Sequence, residues 1–219
     1  MIWKNILRRK GRTFLTILGI SVGVAAIIGL GALANGFEAG YSSMLSGSKA
    51  DLVVSQPEAL DISLSAIDEE IGDDLAALSE VEAVSGMLEG FVQAEGSPFF
   101  FVFGYPLDSF LLDRFQIVEG SEFSTRNPER SGRAIWIGSA AAESQNKETG
   151  DSLRLGDSLY KVVGIYQTGD PLEDSGSVLA LEEAQILLGK PRQVSLFYIL
   201  LKDRELDDRL INRVERRWP

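Results

Sequence analysis

The sequence predicts an α+β protein with one N-terminal transmembrane helix and stalk, followed by a mixed α/β extracytoplasmic domain. Three observations predict this class. Residues 13–37 form a run of 25 residues without a charge, and all 32 acidic residues follow that run. The rest of the chain mixes strand-like and amphipathic helical segments, without the strict alternation of a doubly wound sheet. About 180 residues lie outside the membrane, which suits one domain or two small subdomains.

The apolar run predicts a membrane-spanning helix. At about 1.5 Å per residue it reaches roughly 37 Å, enough for a hydrocarbon core of ~30 Å with some tilt. Only a helix satisfies its backbone groups inside lipid. A cleaved signal peptide is the alternative, because Ala32, Leu33 and Ala34 form a small-x-small triplet. The run exceeds the usual core of roughly 7–15 residues in a signal peptide, so an uncleaved anchor is favoured.

The flanks of this helix predict its orientation. Residues 1–12 contain five basic residues and no acidic one, which favours retention of the N-terminus in the cytoplasm. These residues form either a short interfacial helix or a plain basic flank. The chain beyond the span carries a formal charge of −16, which predicts an extracytoplasmic location. An acidic exterior also argues against nucleic-acid binding.

Small residues inside the span predict contact with another membrane helix. Gly19 and Gly23 form a small-xxx-small pair, and Ser21 adds a further small side chain. A lone anchor has no need of this pattern. Glycine is frequent in membrane spans, however, and that frequency alone is the other explanation.

Residues 38–49 predict a stalk that ends near Gly47, and residues 50–219 form the outer domain. A strand is expected at 50–55 before a turn at Pro57. A helix is expected at 65–78, where Ser65 and Asp68 resemble a capping box. The acidic residues of that helix indicate a solvated face, because they lack the spacing of a calcium loop.

An aromatic hairpin follows, with strands at 84–94 and 99–103. The second strand is apolar on both faces, which is typical of a buried strand. The alternative is an apolar contact surface formed by Phe99, Phe101 and Phe103. The further elements expected are strands at 115–119, 134–138, 152–155, 159–166, 177–180 and 194–201, helices at 139–144, 181–188 and from 205, and a polar loop at 124–133.

The sequence lacks the usual parts of an enzyme site. It has no cysteine and no histidine, so we expect no catalytic residue, no metal site and no cofactor. Asp174, Ser175 and Gly176 match the triplet of aspartic proteases, but that chemistry needs two paired carboxylates and the chain offers one triplet. A phosphate-binding glycine loop is absent from the sequence, so any ATP must bind to another chain.

Two blocks of sequence resemble a known family, the MacB/LolC/FtsX-type permease subunits of ATP-binding-cassette systems. Residues 3–13, WKNILRRKGRT, followed by 18–25, LGISVGVA, are similar to the family's first membrane helix. The second block comprises residues 151–155, 160–166 and 181–188, which resemble its strand–turn–strand and L-x-x-A-Q-x-L-L segments. Short turns of the family also correspond to Gly104 and Gly120.

The resemblance implies a membrane permease subunit for export or mechanotransmission. Its outer domain, of two subdomains, would move in response to ATP hydrolysis by a separate cytoplasmic ATPase. It implies no catalytic residue, a second permease subunit and an extracytoplasmic partner or cargo. Family members carry three more membrane helices after the outer domain, so we expect this chain to be the N-terminal portion. The competing interpretations are a single-span anchored binding or scaffold module and an extracytoplasmic carboxylate hydrolase.

Overall fold

The computed structural model describes residues 10–56, 62–123, 133–203, 205 and 207–217. The chain divides into two compact units, Met1–Ser42 and Ser43–Pro219. Three expected features lie outside or mostly outside the described residues: the interfacial helix at 1–12, the turn at Pro57 and the polar loop at 124–133.

The first element is a long helix, α1, at Lys10–Gly47. It includes both the expected span at 13–37 and most of the expected stalk at 38–49. The segment contains no proline, and leucine, isoleucine and alanine favour an unbroken helix. Four residues then lead to the first strand.

The outer unit is built on one mixed sheet of nine strands, in the order β1-β11-β3-β4-β9-β6-β8-β5, with β7 paired to β3 and β8. Strands β4 and β9, and β6 and β8, run parallel. A separate ribbon pairs β2 with β10. The strands are β1 Leu52–Ser55, β2 Ile67–Asp68, β3 Val81–Ala94, β4 Ser97–Tyr105, β5 Gln116–Gly120, β6 Ala134–Gly138, β7 Ser152–Leu155, β8 Ser158–Gln167, β9 Ser177–Ala180, β10 Gln193–Val194 and β11 Leu196–Leu201.

Five short helices complete the outer unit in the described part of the chain. They are α2 Glu70–Ala76, α3 Ser139–Gln145, α4 Pro171–Asp174, α5 Leu181–Leu188 and α6 Asp207–Arg217, with 3₁₀ turns at Ile62–Leu64 and Phe110–Arg114. The sequence did not predict α4 or the 3₁₀ turns. Segments this short have no room for a helical repeat of apolar residues, which is the usual signal.

The expected helix at 65–78 is wrong in its first turn. Ile67 and Asp68 pair instead with Val194 and Gln193 as strand β2. The helix begins at Glu70, whose backbone N–H donates to Asp68 Oδ1 at 2.9 Å. The long-range pairing with β10 is invisible to a local capping pattern, which is why the sequence placed the start too early.

The β3–β4 hairpin is confirmed, with its turn at Glu95 and Gly96. One face of the hairpin supports α5. A Cβ at Gly104 would lie 2.4 Å from Ala184 Cβ, so only glycine permits this approach of helix and sheet. Together with side chains from β6, β7 and β8, this face forms the larger hydrophobic cluster.

A second hydrophobic cluster lies at the other end of the sheet. Here α2 and α6 cover β11, and the buried side chains include Leu75, Phe197, Ile199 and Leu210. The sheet runs continuously through both clusters. The expected division into two subdomains stays a prediction.

Candidate functional site

The N-terminal helix is suited to a membrane. Within the described residues, one helix is long and apolar enough to span a bilayer, Gly11–Gly36, with a mean hydropathy of 2.4. Its large apolar side chains are exposed all around, for example Ile27 at 73% and Leu30 at 68%. An apolar helix without a protein cover needs lipid or another helix around it.

The small residues of this helix do not share one face. Consecutive residues of an α-helix turn by about 100°, so Gly19 and Gly23 lie about 40° apart, whereas Ser21 lies about 200° from Gly19. A Cβ at either glycine would meet nothing within 4 Å. The Gly19–Gly23 pair therefore shares one face of the helix and Ser21 lies on the opposite side, and the packing role of all three residues stays a prediction.

The aromatic surface predicted on β4 is only partly exposed. Phe99 is 75% exposed and Phe101 is half-buried, but Phe103 is fully buried. The placement of Phe103 on that surface is wrong, because Gly176 and β9 pack against this part of β4. Phe91 of β3 takes its place, with 39% of its surface exposed.

We define the aromatic patch as Phe91, Phe99 and Phe101, the exposed and half-buried rings at this end of the hairpin. The rings of Phe91 and Phe101 pair across the two strands with centroids 4.5 Å apart. Phe101 also stacks on the buried Phe103 at 6.0 Å. The alternation of apolar and polar residues in β3 does not by itself predict that Phe91 is exposed, because its exposure depends on where the neighbouring strands end.

An ion pair that the sequence did not suggest lies buried on the same face of the sheet. Arg114, the last residue of the 3₁₀ turn, donates through Nη2 to Glu173 Oε1 of α4. Their side chains are 9% and 3% exposed. Ser109 caps the 3₁₀ turn, and Asp170 Oδ1 caps α4 by accepting from Leu172 N at 2.8 Å and Glu173 N at 3.1 Å. Both caps hold the charged residues in place.

Aromatic side chains surround the ion pair. Arg114 Nη2 also donates to the Tyr105 hydroxyl at 2.8 Å, and its guanidinium lies 5.0 Å from the Phe115 ring centroid. The Tyr166 hydroxyl donates to the Glu173 carbonyl at 2.6 Å. Burial raises the pKa of Glu173 to about 7, although Arg114 opposes this shift. Burial also raises the pKa of Tyr105 and Tyr166, so both hydroxyls stay neutral.

In the triplet at 174–176, the Asp174 side chain binds the loop that precedes α4. Asp174 Oδ1 accepts from Thr168 N at 2.7 Å and from Thr168 Oγ1 at 3.0 Å, and Oδ2 accepts from Gly169 N at 3.2 Å. These bonds hold the loop before α4. In the described part of the chain, no group of three acidic residues could hold a metal ion.

An apolar groove lies between strand β1 and helix α6. It has a volume of about 500 Å³ and is lined by Leu52, Val54, Ile199, Leu210 and Val214, with further residues of β1 and β2. Its rim includes Asp68 and Gln56. The groove belongs to the outer unit.

Comparison with known proteins decides what this arrangement is. The family model of the MacB-like periplasmic core domain matches residues 13–217. The chain belongs to this family. The MacB-like domain is part of the permeases of ABC-type transporters, and this chain is accordingly a membrane-anchored permease component with an extracellular domain. The family is not a class of catalytic enzymes.

Solved structures share the fold of this MacB-like chain at low sequence identity. The extracellular domain of the noncanonic ABC-type transporter YknZ from Gram-positive bacteria is 15% identical, with a TM-score of 0.57, over 72% of this chain and 86% of that one. The periplasmic region of MacB from Actinobacillus actinomycetemcomitans is 9% identical, with a TM-score of 0.53, over 68% and 73%. Among curated proteins, none matches the sequence significantly.

Proposed function

We propose that this chain acts in the permease subunit of an ABC-type export or mechanotransmission system. Its outer domain moves when a separate cytoplasmic ATPase hydrolyses ATP. The observation that supports this proposal is the unbroken helix α1, which includes the predicted membrane span and most of the predicted stalk. A movement of the span in the membrane can therefore be transmitted along one continuous helix.

The length of α1 supports this role. A helix of 38 residues extends about 57 Å at 1.5 Å per residue, well beyond a hydrocarbon core of ~30 Å. The short connection that follows is bound to the sheet, because Asp51 N donates to Ile199 O at 2.9 Å and Asp51 Oδ2 accepts from Leu201 N at 2.9 Å. Both bonds are made with strand β11, which pairs with β3 in the same sheet.

Two surfaces are suited to partners in such a system. The Gly19–Gly23 face of α1 permits close approach of another membrane helix, either in the same permease or in a second permease subunit. The aromatic patch of Phe91, Phe99 and Phe101 provides an exposed apolar surface for an extracytoplasmic partner or cargo. The basic flank at 1–12 favours a cytoplasmic N-terminus, where the ATPase would lie.

Distance measurement between two spin labels tests the proposal. Because the chain has no cysteine, Leu33→Cys and Asp157→Cys place one label in the span and one in the outer domain. The labelled permease is assembled with its ATPase subunit in lipid nanodiscs. We expect the distance distribution to shift between the nucleotide-free and ATP-bound states, and to return after hydrolysis.

A four-residue Gly-Ser-Gly-Ser insertion after Gly47 should abolish the ATP-dependent shift, because it interrupts the link between helix and sheet. The same insertion after Gly96, in the exposed hairpin turn, is the matched control and should leave the shift intact. An identical distribution in every nucleotide state would overturn the proposal and favour a single-span anchored binding or scaffold module.

A further inference from the structure

The charges around Arg114 and Glu173 do not balance. Three carboxyl groups lie together in and beside α4, with Asp170 6%, Glu173 2% and Asp174 7% exposed. We name these three residues and Arg114 the buried ionic cluster. Arg114 interacts electrostatically with Glu173, and so do the carboxyl groups of Asp170 and Asp174. Burying an excess of one charge is costly unless protons or further donors compensate.

The other elements around Glu173 supply no second positive charge among the described residues. Tyr105 of β4, Tyr166 of β8 and Tyr198 of β11 face the cluster, and burial raises the pKa of all three hydroxyls. They are neutral at physiological pH. Glu89 of β3 interacts electrostatically with Tyr198 and adds a further acidic group near the cluster.

Backbone and side-chain donors bind most of the carboxylate oxygens on Asp170 and Asp174. Both oxygens of Asp174 accept bonds from Thr168 and Gly169, and Asp170 Oδ1 accepts from two backbone N–H groups. Asp170 Oδ2 is buried with no donor among the described residues. Because burying three carboxyl groups beside one guanidinium costs free energy, one added proton would improve the charge balance of the cluster.

We propose that the buried ionic cluster is a proton-binding site, in which Glu173 carries one proton while α4 is packed against the 3₁₀ turn of Arg114. The proton enters from solvent, and its loss leaves Glu173 ionised. An ionised Glu173 is more stable in water than in the buried site, so deprotonation favours movement of α4 away from the 3₁₀ turn. The closed contact is therefore favoured by acid and weakened by alkali.

The position of Glu173 places this transition in the physiological range. Burial raises its pKa to about 7, partly opposed by Arg114, and Asp170 raises it further. In an unfolded or opened segment the pKa returns to about 4.5. The contribution of Glu173 to stability is thus fully present below pH 4.5 and is lost as pH rises through about 7. This inference does not depend on the proposed permease cycle.

The buried ionic cluster lies between two connections of the sheet, so its protonation affects the contact between them. The 3₁₀ turn of Arg114 connects β4 to β5, and α4 connects β8 to β9. Strand β9 lies in the sheet between β4 and β6. The site therefore joins the β4–β5 connection to the β8–β9 connection, and its protonation sets how firmly they are held together.

Hydrogen exchange of the full chain in lipid nanodiscs tests the site. We expect the protection of amides 111–115 and 172–176, corrected for intrinsic exchange, to fall roughly tenfold between pH 6 and pH 8.5. Glu173→Gln removes this titration, so its protection should stay constant with pH, and its excess over the native chain should grow roughly tenfold between pH 6 and pH 8.5. Glu70→Gln, which removes an exposed ion pair with Arg192, is the matched control and should keep the native pH dependence.

A second variant tests the same site if Glu173→Gln does not fold. Asp170→Asn keeps a capping side chain but removes the neighbouring negative charge, so the midpoint of the exchange transition should move to lower pH. Protection that is independent of pH in the native chain would overturn the proposal. An unchanged pH dependence in Glu173→Gln, or an unchanged midpoint in Asp170→Asn, would do the same.

Discussion

At the scale of single residues, small steps along the β3–β4 hairpin determine which aromatic side chains reach solvent. Phe99, Phe101 and Phe103 point to one face of β4, yet their exposure falls from 75% to half-buried to none. The reason is the neighbour across the sheet: β9 pairs with β4 from Val102 to Tyr105 but does not extend to Phe99. The exposed patch is the part of the hairpin that extends past its neighbour.

Single residues of the aromatic patch should therefore differ in their contact with a partner. We expect a photoreactive benzoylphenylalanine at position 99 to give cross-linked products in intact cells at a yield at least several-fold above that at position 186. Phe99 and Ile186 are equally exposed, at 75% and 74%, but Ile186 stands outside the patch. Gel analysis after irradiation measures both yields in the same preparation.

Equal cross-linking yields at positions 99 and 186 would contradict the prediction that the aromatic patch is a preferred contact surface. A partner contact at position 99 should also weaken when Phe91 becomes serine, because Phe91 supports the Phe101 ring at 4.5 Å. Aromatic residues in such contacts typically contribute about 1–3 kcal/mol, so a loss of tenfold or more is expected.

At the scale of elements, α1 combines two roles that usually belong to separate segments. Its apolar part is suited to lipid, and the same helix continues to Gly47, with four residues between it and the first strand. Glycines at 19 and 23 expose backbone on one face of the apolar part. Close backbone approach is what drives many membrane helices to associate, since lipid removes the hydrophobic driving force.

Replacing both glycines should weaken association of the span with its neighbours. We expect Gly19→Ile with Gly23→Ile to lower helix–helix association in membranes about tenfold, because the added side chains prevent close approach. Ser21→Ile, on the opposite side of the same helix, is the matched control. Energy transfer between labelled chains in liposomes measures the association.

The comparison between the two faces decides the result. Association that falls equally with Ser21→Ile would show that bulk anywhere in the span is disruptive. Association that falls only with Ser21→Ile would place the contact on the other face.

At the scale of the whole molecule, charge asymmetry divides the chain. Five basic residues precede the span and every acidic residue follows it. Because short basic flanks are retained in the cytoplasm, this asymmetry predicts a cytoplasmic N-terminus and an acidic domain outside. The first compact unit contains the helix that is long and apolar enough to span a membrane.

Cysteine labelling should reveal this orientation. In the cysteine-free chain, Asp157→Cys should react with a membrane-impermeant maleimide in intact spheroplasts, whereas Asn5→Cys should react only after permeabilisation. Full reaction of both variants in detergent is the control. The reverse pattern would contradict the predicted orientation, and loss of position 5 from the membrane-bound chain would indicate a cleaved signal peptide.

Local sequence patterns determined much of this protein. A membrane span follows from 25 uncharged residues, because no other structure satisfies its backbone in lipid. Helix α5, strand β6 and the β3–β4 hairpin appear where their periodicity and turn residues predicted them. The family resemblance follows from blocks of the same kind and is confirmed by the match over residues 13–217.

Tertiary structure alone decided the features that depend on distant residues. Strand β2 replaced the first turn of an expected helix because β10, 125 residues later in the chain, supplies its partner. Phe103 became core because β9 covers it. The buried ionic cluster unites Arg114 and Glu173, 59 residues apart, although each looks like an ordinary surface charge in the sequence. The physical reason is the same in each case: burial and pairing are set by neighbours in space, and a local pattern records only neighbours along the chain.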